Sequence, residues 1–208
     1  MKWATRFAIP GGILALTLLF VAAPARADVT VGLSISIARE NGARIVDDAW
    51  LQQQIVDANH FFGPLGTTFR WTEEKELAEP HGEMHTRTDR DALTPLMGTG
   101  VVDVFVVRSL DDVDEPGRVR RGVCWTGLGG KRFIILSRLS PPRVLAHELG
   151  HFFGNPQHST VPDNLMSYTR TGGDVFLEDV QITKIKQFSA RFIATGRLLD
   201  IGPPRRFW

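Results

Sequence analysis

The stretch HELGHFFGNPQH, residues 147–158, decides how the rest of the chain is read. His147 and His151 are four residues apart, so on a helix they share a face. Two imidazoles at that spacing can hold one Zn²⁺ through nitrogen. Glu148 adjoins the first histidine. It can reach a water polarised by the zinc without binding the metal, and take a proton to leave a nucleophile for a carbonyl carbon. HExxH also arises by chance on solvated helices. Here Val144, Leu145, Leu149, Phe152 and Phe153 make the helix strongly apolar, so its histidines do not read as surface decoration. Gly154 can adopt a left-handed conformation and end the helix. The chain can then turn back and bring a third ligand under the metal.

His147, Glu148, His151 and Gly154, followed by NLMSY at residues 164–168, resemble the metzincin metallopeptidases, which combine HExxHxxGxxH with a downstream methionine turn. The match is specific over residues 145–168, and elsewhere only the order of elements agrees. The resemblance implies a zinc peptidase in which Met166 forms an apolar floor to the site rather than a ligand. Its alternative is core filler. Tyr168, the only tyrosine of the chain, stands where astacin-like and serralysin-like members place a tyrosine near the zinc. The resemblance implies that it donates to the oxyanion. The alternative is a tyrosine packed on the turn.

One departure matters. The family pattern puts its third ligand at position 157, where Gln157 stands, and His158 comes next. A glutamine amide is neutral and weakly basic beside imidazole. The position falls in a loop, after an Asn155-Pro156 pair, where one added residue can bulge without rotating His147 or His151. His158 is therefore the expected third ligand. Asp163 is the next candidate, since some relatives use an aspartate, and a site of only two protein ligands is the least expected.

Outward from this stretch, strands and helices alternate. Residues 29–38, VTVGLSISIA, read as a strand. Residues 44–62 carry apolar side chains at helical spacing and stop at Gly63-Pro64. Residues 67–72 suggest a second strand, and 73–90 a polar loop with a short helix near 89–97. VVDVFVV at 101–107 suits a strand buried on both faces. GVCWT at 122–126 and RFIILS at 132–137 read as two short strands. Pro141-Pro142 is expected to open the motif helix, and a last helix spans about 177–194. The expected fold is α/β (α+β): a twisted, mostly parallel sheet with an antiparallel edge strand, an active-site helix and a C-terminal helix. By the metzincin element order, Gly122, Val123, Cys124 and Trp125 form that edge strand, against which an extended peptide would pair. The alternative is an ordinary strand with Trp125 in the core.

Residues 1–27 have the layout of a secretory signal peptide: Lys2 and Arg6, an apolar run, then Ala25-Arg26-Ala27. The expected organisation is a signal segment, 1–27, and one catalytic domain, 28–208, exported to the periplasm or the medium. No later segment is apolar enough to cross a bilayer, so no stable membrane association is expected after cleavage. The signal segment holds three basic residues and no acidic one, so the formal charge of +1 becomes −2 for the remainder. A near-neutral domain without a basic stripe is not a nucleic-acid binder. The first strand begins almost at the cleavage point, leaving little room for a pro-segment. Restraint is then expected from zinc loading after export or from an inhibitor protein.

Cys124 is the only cysteine, which excludes an internal disulfide. It reads as a small buried apolar residue rather than a latency ligand. His81 and His85, with Glu83 between them, are a weaker second metal candidate. The functional expectation is one Zn²⁺ per chain and hydrolysis of peptide or protein substrates. The alternatives are another amide bond, such as one in a cell-wall peptide, or a non-catalytic zinc-stabilised binding module. A structural zinc site would have no need of Glu148.

Overall fold

Strand β1, Val29–Glu40, is the centre of the assembly. A computed structural model of the chain describes residues 28–203; the expected signal segment and the last five residues of the tail PPRRFW lie outside the described residues. Along β1 successive side chains alternate faces. Val31, Leu33, Ile35 and Ile37 enter a core shared with the long helices. Small residues, among them Ser34, Ser36 and Ala38, occupy the opposite face.

After β1 the chain reverses through Asn41 and Gly42, both at positive φ, into the two-residue strand β2, Ala43–Arg44. An Asn-Gly pair is the favoured chemistry for such a hairpin. Helix α1, Asp48–Phe62, therefore starts four residues later than its periodicity suggests. Its start is set by Asp47, whose side chain accepts from Trp50 N–H at 2.8 Å. Strand β3, Thr67–Leu77, runs five residues beyond the expected stretch. Its polar half was expected to be loop. It lies at the sheet margin, where charged side chains are tolerated: Glu76 pairs with Arg39 at 2.6 Å and Glu74 with Arg44 at 3.4 Å.

Short elements follow: β4 (Glu83–Met84) and α2 (Arg87–Asp91). Strand β5, Val102–Val107, is buried at all six positions, as its composition suggests. After β6 (Ser109–Leu110), β7 (Gly122–Thr126) and β8 (Arg132–Ser137) have the expected bounds. The sheet order is β3-β1-β5-β8-β7, parallel except for β7, which pairs antiparallel to β8 at the end of the sheet, with the short β2 also antiparallel to β1. The fold is thus mixed α and β, with a mostly parallel sheet and an antiparallel edge.

Helices α1, α3 (Val144–Phe152) and α4 (Asp179–Ala194) share the large core with one sheet face. On the other face Met84 and Leu93 pack with Phe105, Phe133 and Ile135. The motif helix begins two residues later than the proline pair suggests, because Arg143 sits at φ 74, outside helical space. Its first turn is satisfied from α1 instead. Buried Gln54 accepts from Leu145 N–H at 3.0 Å and donates to the Pro141 carbonyl at 2.8 Å. The helix ends as expected at Gly154, φ 98. There Gly154 N–H reaches the His151 carbonyl and Asn155 N–H the Gly150 carbonyl, each at 3.1 Å. Just before that turn, Phe153 packs its ring against Phe62, Phe69 and Phe192. Among the described residues no helix is long and apolar enough to cross a membrane.

Candidate metal centre

The helix places His147 and His151 one turn apart, and the Gly154 turn brings His158 back beside them. Their ligand atoms all lie within 4.8 Å of one another. His151 Nε2 is 3.1 Å from His147 Nε2 and 3.2 Å from His158 Nε2. Nδ1 of His147 is 2.8 Å from the Leu165 carbonyl, and Nδ1 of His151 is 2.6 Å from the Asn155 carbonyl. A carbonyl only accepts, so both Nδ1 atoms carry the proton and both Nε2 atoms present lone pairs. Lone pairs at that separation repel unless a cation lies between them. Tetrahedral zinc with Zn–N of about 2.0–2.1 Å spaces its nitrogens by about 3.4 Å. The donor set therefore fits zinc in ligand type, tautomer and spacing.

Electrostatics point the same way. Burial lowers His147 and His151 to about 4, with the neighbouring imidazoles adding to the shift. His158 is lowered for the same first reason, with the Arg120 charge second. All three are neutral at pH 7, the state a metal requires. Asp163 does not join them. Its carboxylate, at φ 60, accepts from Thr171 N–H and hydroxyl and from Gly173 N–H. Gln157 is exposed.

Glu148 is 4% exposed and lines the cleft before the histidines. Burial pushes its carboxyl up to about 8, while the Cys124 N–H and the Arg120 charge draw it back. That range suits a group that must take and return a proton near neutral pH. Gly122 makes room for it. A Cβ there would meet Glu148 Oε1 at 2.8 Å and Val144 Cγ1 at 2.6 Å. Cys124 is free, with its thiol raised to about 12 by burial and the nearby Glu148 charge, and it is not among the clustered ligands.

Met166 is fully buried beneath the motif helix, where a Cβ on Gly150 would collide with its sulfur. Its turn is anchored by Asn164, whose side chain accepts from Met166 N–H at 2.8 Å and exchanges hydrogen bonds with Gln181 of α4 at 2.9 and 3.1 Å. Tyr168 lies tilted against His158 with ring centroids 4.1 Å apart, and its hydroxyl accepts from Arg120 at 3.0 Å. Partial desolvation raises the phenol, against the pull of Arg120, so it keeps a proton to donate. Arg120 is fixed in turn by buried Asp112 at 2.7 Å.

Sequence reading missed Arg120, Asp112, Gln181 and Gly150, and took Gly122 only as part of the edge strand. A glycine inside an apolar helix costs about 1 kcal/mol against alanine, and one in a strand marks close approach. Those two signals were present for Gly150 and Gly122. Nothing local distinguishes Arg120 from its neighbours. Trp125 is half-buried, with its indole N–H on Asp91 at 2.7 Å. Residues 112–121 contribute to the cleft wall, whereas 73–90 do not. His81 and His85 are not brought together as ligands; among the described residues the three histidines form the only such group.

No family model matches the sequence, and no curated protein matches it. Solved structures do. Metalloproteinase-II from Bacteroides fragilis aligns over 79% of this chain with a TM-score of 0.57 at 14% identity, and the chain spans 55% of that protein. Mature mirolysin of Tannerella forsythia, in complex with a cleaved peptide, aligns over 85% of this chain and 100% of its own, with a TM-score of 0.53 at 10% identity. Archaemetzincin from Methanopyrus kandleri aligns over 78% and 97%, with a TM-score of 0.51 at 14% identity. At such identities the likeness is one of fold. The chain has the fold of the metzincin-type metallopeptidases.

Proposed function

We propose that this protein is a secreted zinc-dependent endopeptidase. One observation carries the reading: three neutral imidazoles converge on a common point, with the Glu148 carboxyl beside them at the edge of a cleft. A zinc ion held by Nε2 of His147 and His151 and a ring nitrogen of His158 would supply Lewis-acid chemistry, polarising a carbonyl and acidifying water. Glu148 takes the proton from the attacking water and passes it to the leaving amine. Tyr168, its hydroxyl positioned by Arg120, donates to the developing oxyanion. Strand β7 ends the sheet, and an extended peptide would align along it. Met166 supplies an apolar floor that keeps the histidine rings in place. Export rests on the signal-like pattern of residues 1–27.

The test is hydrolysis of a mixed peptide library by residues 28–208 with zinc, beside Glu148→Ala. Cleavage that disappears in the variant is the expected result. Zinc bound at one per chain with no cleavage by the wild type would leave a binding module or a hydrolase of another amide bond.

A further inference from the structure

The cleft before the histidines has a volume of about 1120 Å³, room for several peptide residues. Five arginines line it: Arg118, Arg120, Arg121, Arg143 and Arg170. Two are committed to carboxylates, Arg118 to Glu115 and Arg120 to Asp112. The other three have no carboxylate partner among the described residues. Arg121 donates to the Leu139 carbonyl at 3.2 Å, and Arg170 to the Asn164 carbonyl at 2.8 Å and the Leu165 carbonyl at 3.4 Å. The Arg143 guanidinium makes no hydrogen bond among the described residues. A guanidinium has five N–H donors, so Arg143 and Arg121 keep most of theirs free, whereas Arg170, which also donates to the Thr169 carbonyl at 3.3 Å, keeps fewer.

The acids of the lining do not balance this charge. They are Asp112, Glu115, Glu148 and Asp163. The first two are the partners just named. Glu148 is the proposed proton carrier. Asp163 lies near Arg170 but is turned to its own loop, where Thr171 and Gly173 occupy its oxygens. The cleft is thus positive in a domain whose formal charge is otherwise slightly negative. Burial depresses the Arg170 guanidinium, and the nearby Arg143 charge adds to that shift while Asp163 opposes it. Arg143, at the start of the motif helix, and Arg170, from the turn after Tyr168, line the same cleft, with apolar Val144 and Val175 also in the lining.

We infer that Arg143 and Arg170, with Arg121 further along the wall, bind a carboxylate of the peptide substrate close to the scissile bond. This rests on the peptidase reading above. Arginine suits the task because its planar fork meets both carboxylate oxygens. The carboxylate has two sources, an aspartate or glutamate side chain or a free C-terminus.

The experiment is fluorescence anisotropy with zinc-loaded Glu148→Ala protein, residues 28–208, and labelled peptides of one scaffold. One set carries a single Glu walked through an amidated peptide. The others carry Gln in its place, amidated or with a free C-terminus, or Lys. At least one carboxylate peptide should bind about 10-fold or more tighter than the amidated Gln peptide, with the advantage shrinking as salt rises. The internal Glu or the free terminus, whichever gives the gain, identifies the source. Adding Arg143→Gln should erase most of the gain at unchanged zinc stoichiometry and melting temperature, and Arg143→Glu should shift preference to the Lys peptide. Equal binding of all peptides overturns the inference; if the wild type still cleaves them, the peptidase reading stands. Carboxylate-selective binding with no cleavage of any peptide keeps this site and overturns the peptidase reading.

Discussion

Two five-residue stretches of this chain have nearly the same letters and opposite fates. HGEMH, residues 81–85, and HELGH, residues 147–151, each hold two histidines four apart with a glutamate and a glycine between. The second lies within α3, so its imidazoles stack on one face and meet. The first crosses from a 3₁₀ turn, Glu79–His81, into β4. Its histidines are not gathered. His85 instead bridges Asp111 at 2.9 Å and Glu83 at 3.3 Å in the open. Burial strips charge from one pair; carboxylates favour charge on His85. Spacing becomes a candidate metal site only when secondary structure converts it into a shared direction and tertiary packing removes water.

The largest effect should come from exchanging the fates of the two stretches. His147→Ala or His151→Ala should weaken zinc binding by more than about 100-fold, while His81→Ala and His85→Ala should leave one zinc per chain. Metal content after dialysis against a zinc buffer checks this, and zinc lost from the His85 variant would break the comparison. Next in size, Tyr168→Phe should lower kcat by about 10²-fold with zinc content unchanged. Arg120→Gln should lower it less, because the hydroxyl remains but loses its holder. A rise in KM of the same size with kcat unchanged would make both residues binding groups.

The two internal glycines sharpen the contrast at the level of stability. A Cβ on Gly150 meets the sulfur of fully buried Met166 beneath a packed helix, so Gly150→Ala should cost about 1–3 kcal/mol. A Cβ on Gly82 meets only the head of Arg108, at 2.7 Å. That long side chain can move, so Gly82→Ala should cost less than about 1 kcal/mol. Denaturant melts of both variants decide it.

The last contrast is in pH. His85 is raised, first by its Asp111 hydrogen bond and then by that to Glu83. Its contribution to stability is full below the unfolded value of about 6.5 and is lost as pH rises through the folded pKa. His147 and His151, lowered to about 4, do the reverse. In the metal-free protein the unfolded chain takes up their protons first, so stability falls as pH drops from about 6.5 toward 4. NMR titration of the imidazole protons in metal-free protein should separate the groups, with His85 titrating above the other two. The opposite order would undo the comparison.

Local chemistry was legible from the letters. The six-residue buried strand at 102–107, the short strands at 122–126 and 132–137, and the stop at Gly154 follow from residue type alone, because β-branched runs and a left-handed glycine act within a few residues. The histidine spacing and the NLMSY stretch pointed to a metal and a methionine turn for the same reason. What sequence reading misjudged depends on distant partners. Residues 73–77 are polar, yet form strand because β1 supplies their hydrogen bonds and Arg39 and Arg44 their counter-charges. The motif helix starts at Val144, where Gln54, 91 positions away from Leu145, caps it.

The sequence by itself determined the ligand types, the helix that aligns two of them, and the turn that allows a third. The tertiary structure decided that His158 rather than Asp163 lies within ligand distance of the pair. Thr171 and Gly173 take up the aspartate's oxygens, while the turn after Gly154 returns the imidazole. It also decided that Arg120 reaches Tyr168, 48 positions away, and that three arginines without a carboxylate partner among the described residues share one cleft. Hydrogen bonds and charges act through space, and only the packed sheet and helices fix which residues are near enough to feel them.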